Sequence, residues 1–346
     1  AFLGGSITQM DGYRPMVCES LQKRFPKTEF TFTNAGVAST CSTTGAFRLK
    51  DQVLNIGPVD LIFVEFAVND DQDAHHTRIE CIRGMEGIVR QILRHNPYAD
   101  IVVTYFVNDH MLSLLSKNQP VLSSSSHEEV MEHYTIPVIA LNSEISQRIQ
   151  SGRLTWKQYG GTHPGPTGNR ICANMIERLL EKNWGTPIAE NGNKVMHVLS
   201  EIMDKNSYDN GHFVSSDRPQ IVKGWKLEIP DWTHLSGEIR PSFKKESLFC
   251  ATEPGAELTL PFEGRAVGIY LLAGPDAGIL ETSIDGAPAQ SIDLFDSHSP
   301  KLHYPKSILF NADLQPGPHL LKIIISAQHN KDSTGTAARI LKFCEN

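Results

Sequence analysis

The chain has 346 residues, 40 % of them hydrophobic, with a formal net charge of −7. That length and apolar content fit a globular chain with room for about two domains. The acidic balance argues against nucleic acid or an anionic membrane surface as the main partner, and no apolar run reaches the roughly 18–20 residues of a membrane span.

The first residues, Ala1 to Thr8, form an apolar run that ends in Gly4-Gly5 and a serine. Residues 13–25 read as a helix, so Ser6 stands between a strand and a helix. Two glycines let the backbone turn sharply and leave the Ser6 N–H to face a ligand. A helix-capping serine after a glycine turn is the alternative. Short apolar or β-branched runs recur at 30–33, 61–66, 101–106 and 137–141, and helical spacing fills 77–95, 128–134, 142–151 and 168–182. Strands alternating with helices predict a mostly parallel sheet covered on both faces, an α/β domain of flavodoxin-like strand order over 1–184. Ser123–Ser126 reads as a loop. The polar stretch 206–211 marks a connecting segment, set at 185–211, with a candidate helix at 195–203.

Beyond it the hydrophobic period becomes two. Strand candidates lie at 225–229, 247–251, 257–260, 266–271, 280–284, 290–294, 306–310, 319–325 and 338–343. Pro254-Gly255, Pro275-Asp276, Asp285-Gly286 and Pro316-Gly317 punctuate them. Residues 212–346 therefore predict an all-β sandwich, of jelly-roll type. Cys18, Cys41, Cys81, Cys172, Cys250 and Cys344 are scattered without a CxxC or Cys/His cluster, so no zinc site is expected. Pairing of Cys250 with Cys344 stays open. The chain opens inside its first apolar run. The expectation is an end already trimmed; an extracytoplasmic place follows if a secretory signal was lost there, the cytoplasm is the alternative, and the compartment stays open.

Four residues fall where an α/β sheet gathers a site, at the carboxyl ends of its strands. Ser6 follows the first strand, Gly36 (in Asn34-Ala35-Gly36) the second, and Asn69 (in Val68-Asn69-Asp70) the third. His163 (in Thr162-His163-Pro164) precedes the last helix. Ester hydrolysis needs such groups. Serine is a poor nucleophile until a base takes its proton, and histidine titrates near neutral pH. The tetrahedral intermediate needs preorganised donors, each worth roughly 3–4 kcal/mol. The Ser6 N–H, the Gly36 N–H and the Asn69 amide are candidates. Taken singly, Asn69 reads as a turn asparagine and His163 as a loop histidine.

Taken in this order on this scaffold, the blocks resemble the signature blocks of the SGNH hydrolases, also called the GDSL esterase/lipase family. Gly4-Gly5-Ser6-Ile7-Thr8 resembles the first, Asn34-Ala35-Gly36 the second, Val68-Asn69-Asp70 the third and His163-Pro164 the last. The resemblance covers about residues 1–184. It implies a three-layer flavodoxin-like fold and serine esterase chemistry with no cofactor. Ser6 would be the nucleophile, His163 the base, and Ser6, Gly36 and Asn69 the oxyanion hole. Three positions depart from the family pattern. Gly5 replaces an aspartate, Ala67 replaces a glycine, and Gly160 replaces the aspartate usual three residues before the histidine. Some carbohydrate acetyl esterases of the family work with a Ser–His dyad held by a backbone carbonyl. The same is expected here, with the carbonyl in 156–160.

Other residues invite weaker readings. Glu65 ends an apolar strand and would be costly to bury unpaired, so a basic partner is expected. Arg48 is the candidate, as a structural pair or one that shapes the substrate pocket. The run Asp70-Asp71-Gln72-Asp73 with His75-His76 reads as a solvated helix approach, ahead of a metal site. Thr8 and Arg14 are placed at the site rim. In the β domain Trp225, Trp232, His234, Tyr270 and Tyr304 are core or sugar-stacking aromatics, and Asp276 and Asp285 turn residues. The expected substrate is a small acyl ester, acetyl on carbohydrate. A thioester or short-chain lipid ester is the nearest alternative. A non-catalytic carbohydrate-binding protein on a hydrolase scaffold is the alternative of another class.

Overall fold

The computed structural model describes residues 1–185 and 195–346. β1 (Phe2–Gly4) pairs in parallel with β2 (Asn34–Gly36) on one side and β3 (Leu61–Glu65) on the other. With β4 (Asp100–Thr104) and β5 (Val138–Ile139) they form a parallel sheet in the order β2-β1-β3-β4-β5. The connections are helical: α1 (Ser6–Gln9), α2 (Tyr13–Arg24), α3 (Ser42–Leu49), α4 (Ala67–Gln72), α5 (Arg78–His95), α6 (Asp109–Ser116), α7 (Leu122–Tyr134), α8 (Leu141–Gln150), α9 (Trp156–Tyr159) and α10 (Pro166–Trp184). The central strands are apolar because both faces are covered. Phe2 stacks on Phe63 with ring centroids 4.8 Å apart. α5 starts at a Thr77/Glu80 capping box and buries Ile82, Met85, Ile88, Val89 and Ile92. Each such side chain contributes about 1.5–3 kcal/mol on burial.

Three expected elements differ. The second strand lies at 34–36 and not at 30–33. β1 is short, and its register sets Phe2 opposite Asn34 and Gly4 opposite Gly36; of 30–33 it reaches only Thr33, whose carbonyl accepts from the Phe2 N–H at 2.9 Å. Phe30 and Phe32 stack on each other instead, at 5.5 Å. The serine run is helical, inside α7. The Ser126 hydroxyl donates to the Leu122 carbonyl at 2.7 Å, so the helix itself satisfies it. Residues 195–203 hold no helix. Residues 186–194 of the expected connecting segment lie outside the described residues, and 203–209 fold back on α5. There Glu86 accepts from the Met203 and Asp204 N–H groups at 2.6 and 3.0 Å, and Asp209 pairs with Arg90 and Arg94.

The chain divides into two units, Ala1–Asp209 and Asn210–Asn346. The second consists of β6 (His212–Phe213), β7 (Gln220–Lys223), β8 (Lys226–Glu228), β9 (Leu248–Ala251), β10 (Glu257–Glu263), β11 (Val267–Ala273), β12 (Ile279–Ile284), β13 (Gln290–Asp293), β14 (Tyr304–Asn311), β15 (Pro318–Ile325) and β16 (Ala338–Glu345). Two antiparallel sheets, β13-β12-β15-β10-β7 and β14-β11-β16-β9-β8, enclose a core that includes Leu258, Leu271, Leu280, Ile323 and Ile340. Every expected strand is present with its ends shifted by a few residues. β6 and β7 are additional; β7 is exposed along its length and so lacks the alternation that marks a half-buried strand. Cys250 stands opposite Arg339, and all six cysteines are free. Trp225, Tyr270 and Tyr304 are buried in this unit. Asp276 is more than a turn residue, since both of its oxygens accept from Arg339 at 2.7 Å. Among the described residues no helix is long and apolar enough to cross a membrane.

Candidate active site

Chain direction carries the ends of β1, β2 and β3 to one edge of the sheet. Gly5 leaves β1 and Ser6 opens α1. The Ser6 Oγ lies 2.8 Å from His163 Nε2, across 157 residues of sequence. His163 sits in the loop between α9 and α10, which is pinned by the Gly165 N–H to the Tyr159 carbonyl at 2.8 Å and by the Asn169 amide to the Pro164 carbonyl at 2.6 Å. Gly160 ends α9 at φ +112°, and a Cβ there would lie 1.9 Å from the Gly165 nitrogen. Backbone geometry thus excludes an aspartate at the position where the family pattern has one. The expected carbonyl acceptor within 156–160 does not bond His163. The Trp156 and Tyr159 carbonyls accept from Gly160 and Gly165, and among the described residues His163 has only Ser6 as partner.

Asn69, in α4, is buried and lies against the serine turn. A Cβ on Gly5 would fall 2.1 Å from Asn69 Oδ1 and 2.9 Å from its Nδ2. The amide occupies the volume that the missing Gly5 side chain would need. One of its two hydrogens goes to Asp73 Oδ2 at 2.6 Å. The spacing of Asn69 and Asp73, one helical turn, is the sequence signal for this bond. Gly36 comes so close to α1 that a Cβ would lie 2.2 Å from the Gln9 nitrogen. Its N–H donates to Asn34 Oδ1 at 3.0 Å, so this candidate donor is already engaged by the turn it sits in. The Ser6 N–H is one of the orphan donors of the first turn of α1.

Glu65 and Arg48 do not form the expected pair. Arg48 is buried and its guanidinium donates to the Ala35 and Gly4 carbonyls at 2.6 and 2.8 Å and to Gln52 Oε1 at 2.6 Å. It ties the ends of β1 and β2 together. Glu65 Oε1 instead accepts from the Gly5 N–H at 2.8 Å, the Thr8 N–H at 3.3 Å and the Thr8 hydroxyl at 2.7 Å. Burial pushes its carboxyl up to about 7, against the bonds from Thr8 and Gly5 and the more distant Arg48 charge. Thr8 is therefore buried beneath the turn and does not line the rim. Arg14 donates to the Thr8 carbonyl at 3.3 Å and pairs with Asp11 at 2.6 Å.

Asp70 is not solvated either. It accepts from the Ser42 N–H at 2.7 Å, the Ser42 hydroxyl at 2.6 Å and His127 Nε2 at 2.8 Å, with His76 Nδ1 at 3.5 Å. Burial alone would raise its carboxyl; the two histidines outweigh that and hold it far below the usual carboxylate range. His127 is carried up to about 9: burial lowers it, and the Asp70 bond more than compensates. Cys41 and Cys81 lie within ligand distance of this cluster. The Asp70 oxygens are directed at Ser42 and His127, while Nδ1 of His76 and of His127 is buried without a hydrogen-bond partner among the described residues.

Residues 2–171 match the model of the GDSL-like Lipase/Acylhydrolase family. No curated protein matches the sequence. Among solved structures, a two-domain esterase (CEX) active on acetylated mannans, co-crystallised with mannopentaose, is 21 % identical, with a TM-score of 0.78 over 99 % of this chain and 89 % of its own. A second structure of such an esterase gives 22 % identity and a TM-score of 0.76 over the same shares. A lipase/acylhydrolase from Enterococcus faecalis is 19 % identical, with a TM-score of 0.41 over 53 % of this chain and 94 % of its own. At these identities the likeness to the two-domain esterases is one of fold, a parallel α/β unit followed by an antiparallel β-sandwich. With a family match that takes in the serine turn, the third-strand asparagine and the histidine loop, residues 2–171 belong to the GDSL-like lipase/acylhydrolase family.

Proposed function

We propose that the protein is a serine esterase that removes small acyl groups, acetyl above all, from carbohydrate. The observation that carries this reading is the 2.8 Å contact between Ser6 Oγ and His163 Nε2 at the sheet edge, with the Asn69 amide against the same turn. His163 Nε2 takes the hydroxyl proton as Oγ attacks the acyl carbonyl carbon. The Ser6 N–H and the second Asn69 hydrogen receive the oxyanion; the Gly36 N–H joins them once it leaves Asn34. Collapse expels the sugar oxygen, which takes the proton from Nε2. Water activated by the same nitrogen then cleaves acyl-Ser6, releasing acetate and the free serine. His163 works without a protein carboxylate, as a dyad.

Hydrolysis of p-nitrophenyl acetate tests the chemistry. Ser6→Ala and His163→Ala should each lower kcat by roughly 10³-fold or more. Activity that survives Ser6→Ala sinks the reading, and absence of turnover at any pH favours a carbohydrate-binding protein. The esterase of the same two-domain architecture acts on acetylated mannans. Acetate release from acetylated manno-oligosaccharides, compared with acetylated xylo-oligosaccharides, short-chain lipid esters and acyl thioesters, therefore comes first in identifying the substrate.

A further inference from the structure

The turn that carries Ser6 lacks the usual means of holding itself. Gly5 has no side chain to cap α1. The first backbone N–H groups of a helix need acceptors from elsewhere. The end of the neighbouring strand supplies one. Glu65 Oε1 takes the Gly5 N–H, the Thr8 N–H and the Thr8 hydroxyl, at 2.8, 3.3 and 2.7 Å. These bonds bracket Ser6, one before it and two after it. The carboxylate is pressed against the end of β1, where a Cβ on Gly4 would lie 2.2 Å from the same oxygen. The Thr8 hydroxyl is held in turn by the Tyr13 hydroxyl at 2.9 Å. Of the backbone donors on this turn, Glu65 takes those of Gly5 and Thr8 and leaves the Ser6 and Ile7 N–H groups unclaimed.

We propose that Glu65 is a positioning residue for acyl transfer: its buried carboxylate grips the turn on both sides of Ser6 and so holds the Ser6 Oγ and N–H in the geometry of attack. The inference rests on the reading of Ser6 as nucleophile. Above about pH 7, where this carboxyl is ionised, its anionic oxygen fixes several donors more tightly than a neutral carbonyl does. A displacement of about 1 Å at a nucleophile is enough to cost about 10²-fold in rate. Among the described residues the cation whose charge acts on Glu65 is Arg48, and its guanidinium donates to the Gly4 and Ala35 carbonyls. The carboxylate is therefore retained for what it grips and not for a salt bridge.

The test is kcat on p-nitrophenyl acetate per active site, with sites counted by complete labelling of Ser6 with a fluorophosphonate. Glu65→Gln keeps the shape and one acceptor oxygen, Glu65→Leu removes the acceptor, and Thr8→Val removes one donor. Expected falls in kcat are about 10-fold for Glu65→Gln, about 10²-fold for Glu65→Leu and about 5-fold for Thr8→Val, with KM unchanged and the labelling rate falling in parallel. Because they share a bond, Thr8→Val and Glu65→Gln combined should cost less than the product of the two. If Glu65→Leu does not fold, the other two variants carry the test. Unchanged kcat and labelling rate per site in folded Glu65→Gln and Thr8→Val, with only a lower Tm, overturns the proposal while leaving Ser6 as nucleophile. Full activity in Ser6→Ala overturns both.

Discussion

Glu65 and Asp70 stand on either side of Asn69's helical turn, both buried, and their surroundings are opposite. Glu65 faces backbone N–H groups and hydroxyls; burial dominates and its carboxyl rises to about 7. Asp70 faces two imidazoles, which outweigh burial and hold it far below the usual carboxylate range. Neutral donors fix a carboxylate in place without replacing the hydration it has lost, whereas a cationic partner does both. The first carboxylate lies under the serine turn, where burial favours its protonated form. The second joins α3, α4 and α7 around a charge that persists at any ordinary pH.

Three changes would break or sharpen that contrast. Asp70→Asn has the largest expected effect. It leaves His76, His127 and Ser42 buried against a neutral amide and should cost about 3–5 kcal/mol in urea unfolding. A loss below about 1 kcal/mol would mean that the histidines are not charged partners. Gly160→Asp comes next. It restores the carboxylate of the family pattern by sequence, yet the backbone there is left-handed and the Cβ meets the Gly165 nitrogen. The His163 loop should shift and kcat fall by about 10²-fold. A rise in kcat would show that charge, and not backbone geometry, limits this position.

The smallest effects lie in the pH dependence of stability. A carboxyl whose pKa is raised in the fold stabilises below its ordinary value of 4.5, and that contribution is lost as pH rises through about 7. The raised His127 contributes fully below 6.5 and is lost as pH rises through about 9. Asp70, held low, contributes at all pH values above the ordinary aspartate range. Thermal melts across pH should therefore flatten between 4.5 and 7 in Glu65→Gln and between 6.5 and 9 in His127→Gln. Profiles parallel to the wild type would overturn these assignments.

Much of the fold was legible because its signals are local. Alternating strand and helix periods, then a period of two with Gly/Pro turns, carried the parallel sheet and the sandwich. The contact between Ser6 and His163 followed from the place of Ser6 beyond a strand end and of His163 before the last helix. What failed locally failed for a physical reason. The strand at 30–33 had the better β composition, but the short β1 could pair only with 34–36.

By itself the sequence determined the two architectures and which side chains stand at the sheet edge, since periodicity and turn chemistry act over a few residues. Tertiary structure alone decided what each polar group bonds. It gave Glu65 to Gly5 and Thr8 and not to Arg48, buried Asp70 between Ser42 and His127, and closed position 160 to any side chain. Those partners lie 28 to 60 residues apart in sequence, and only the crossing of strands and helices brings them within hydrogen-bond reach.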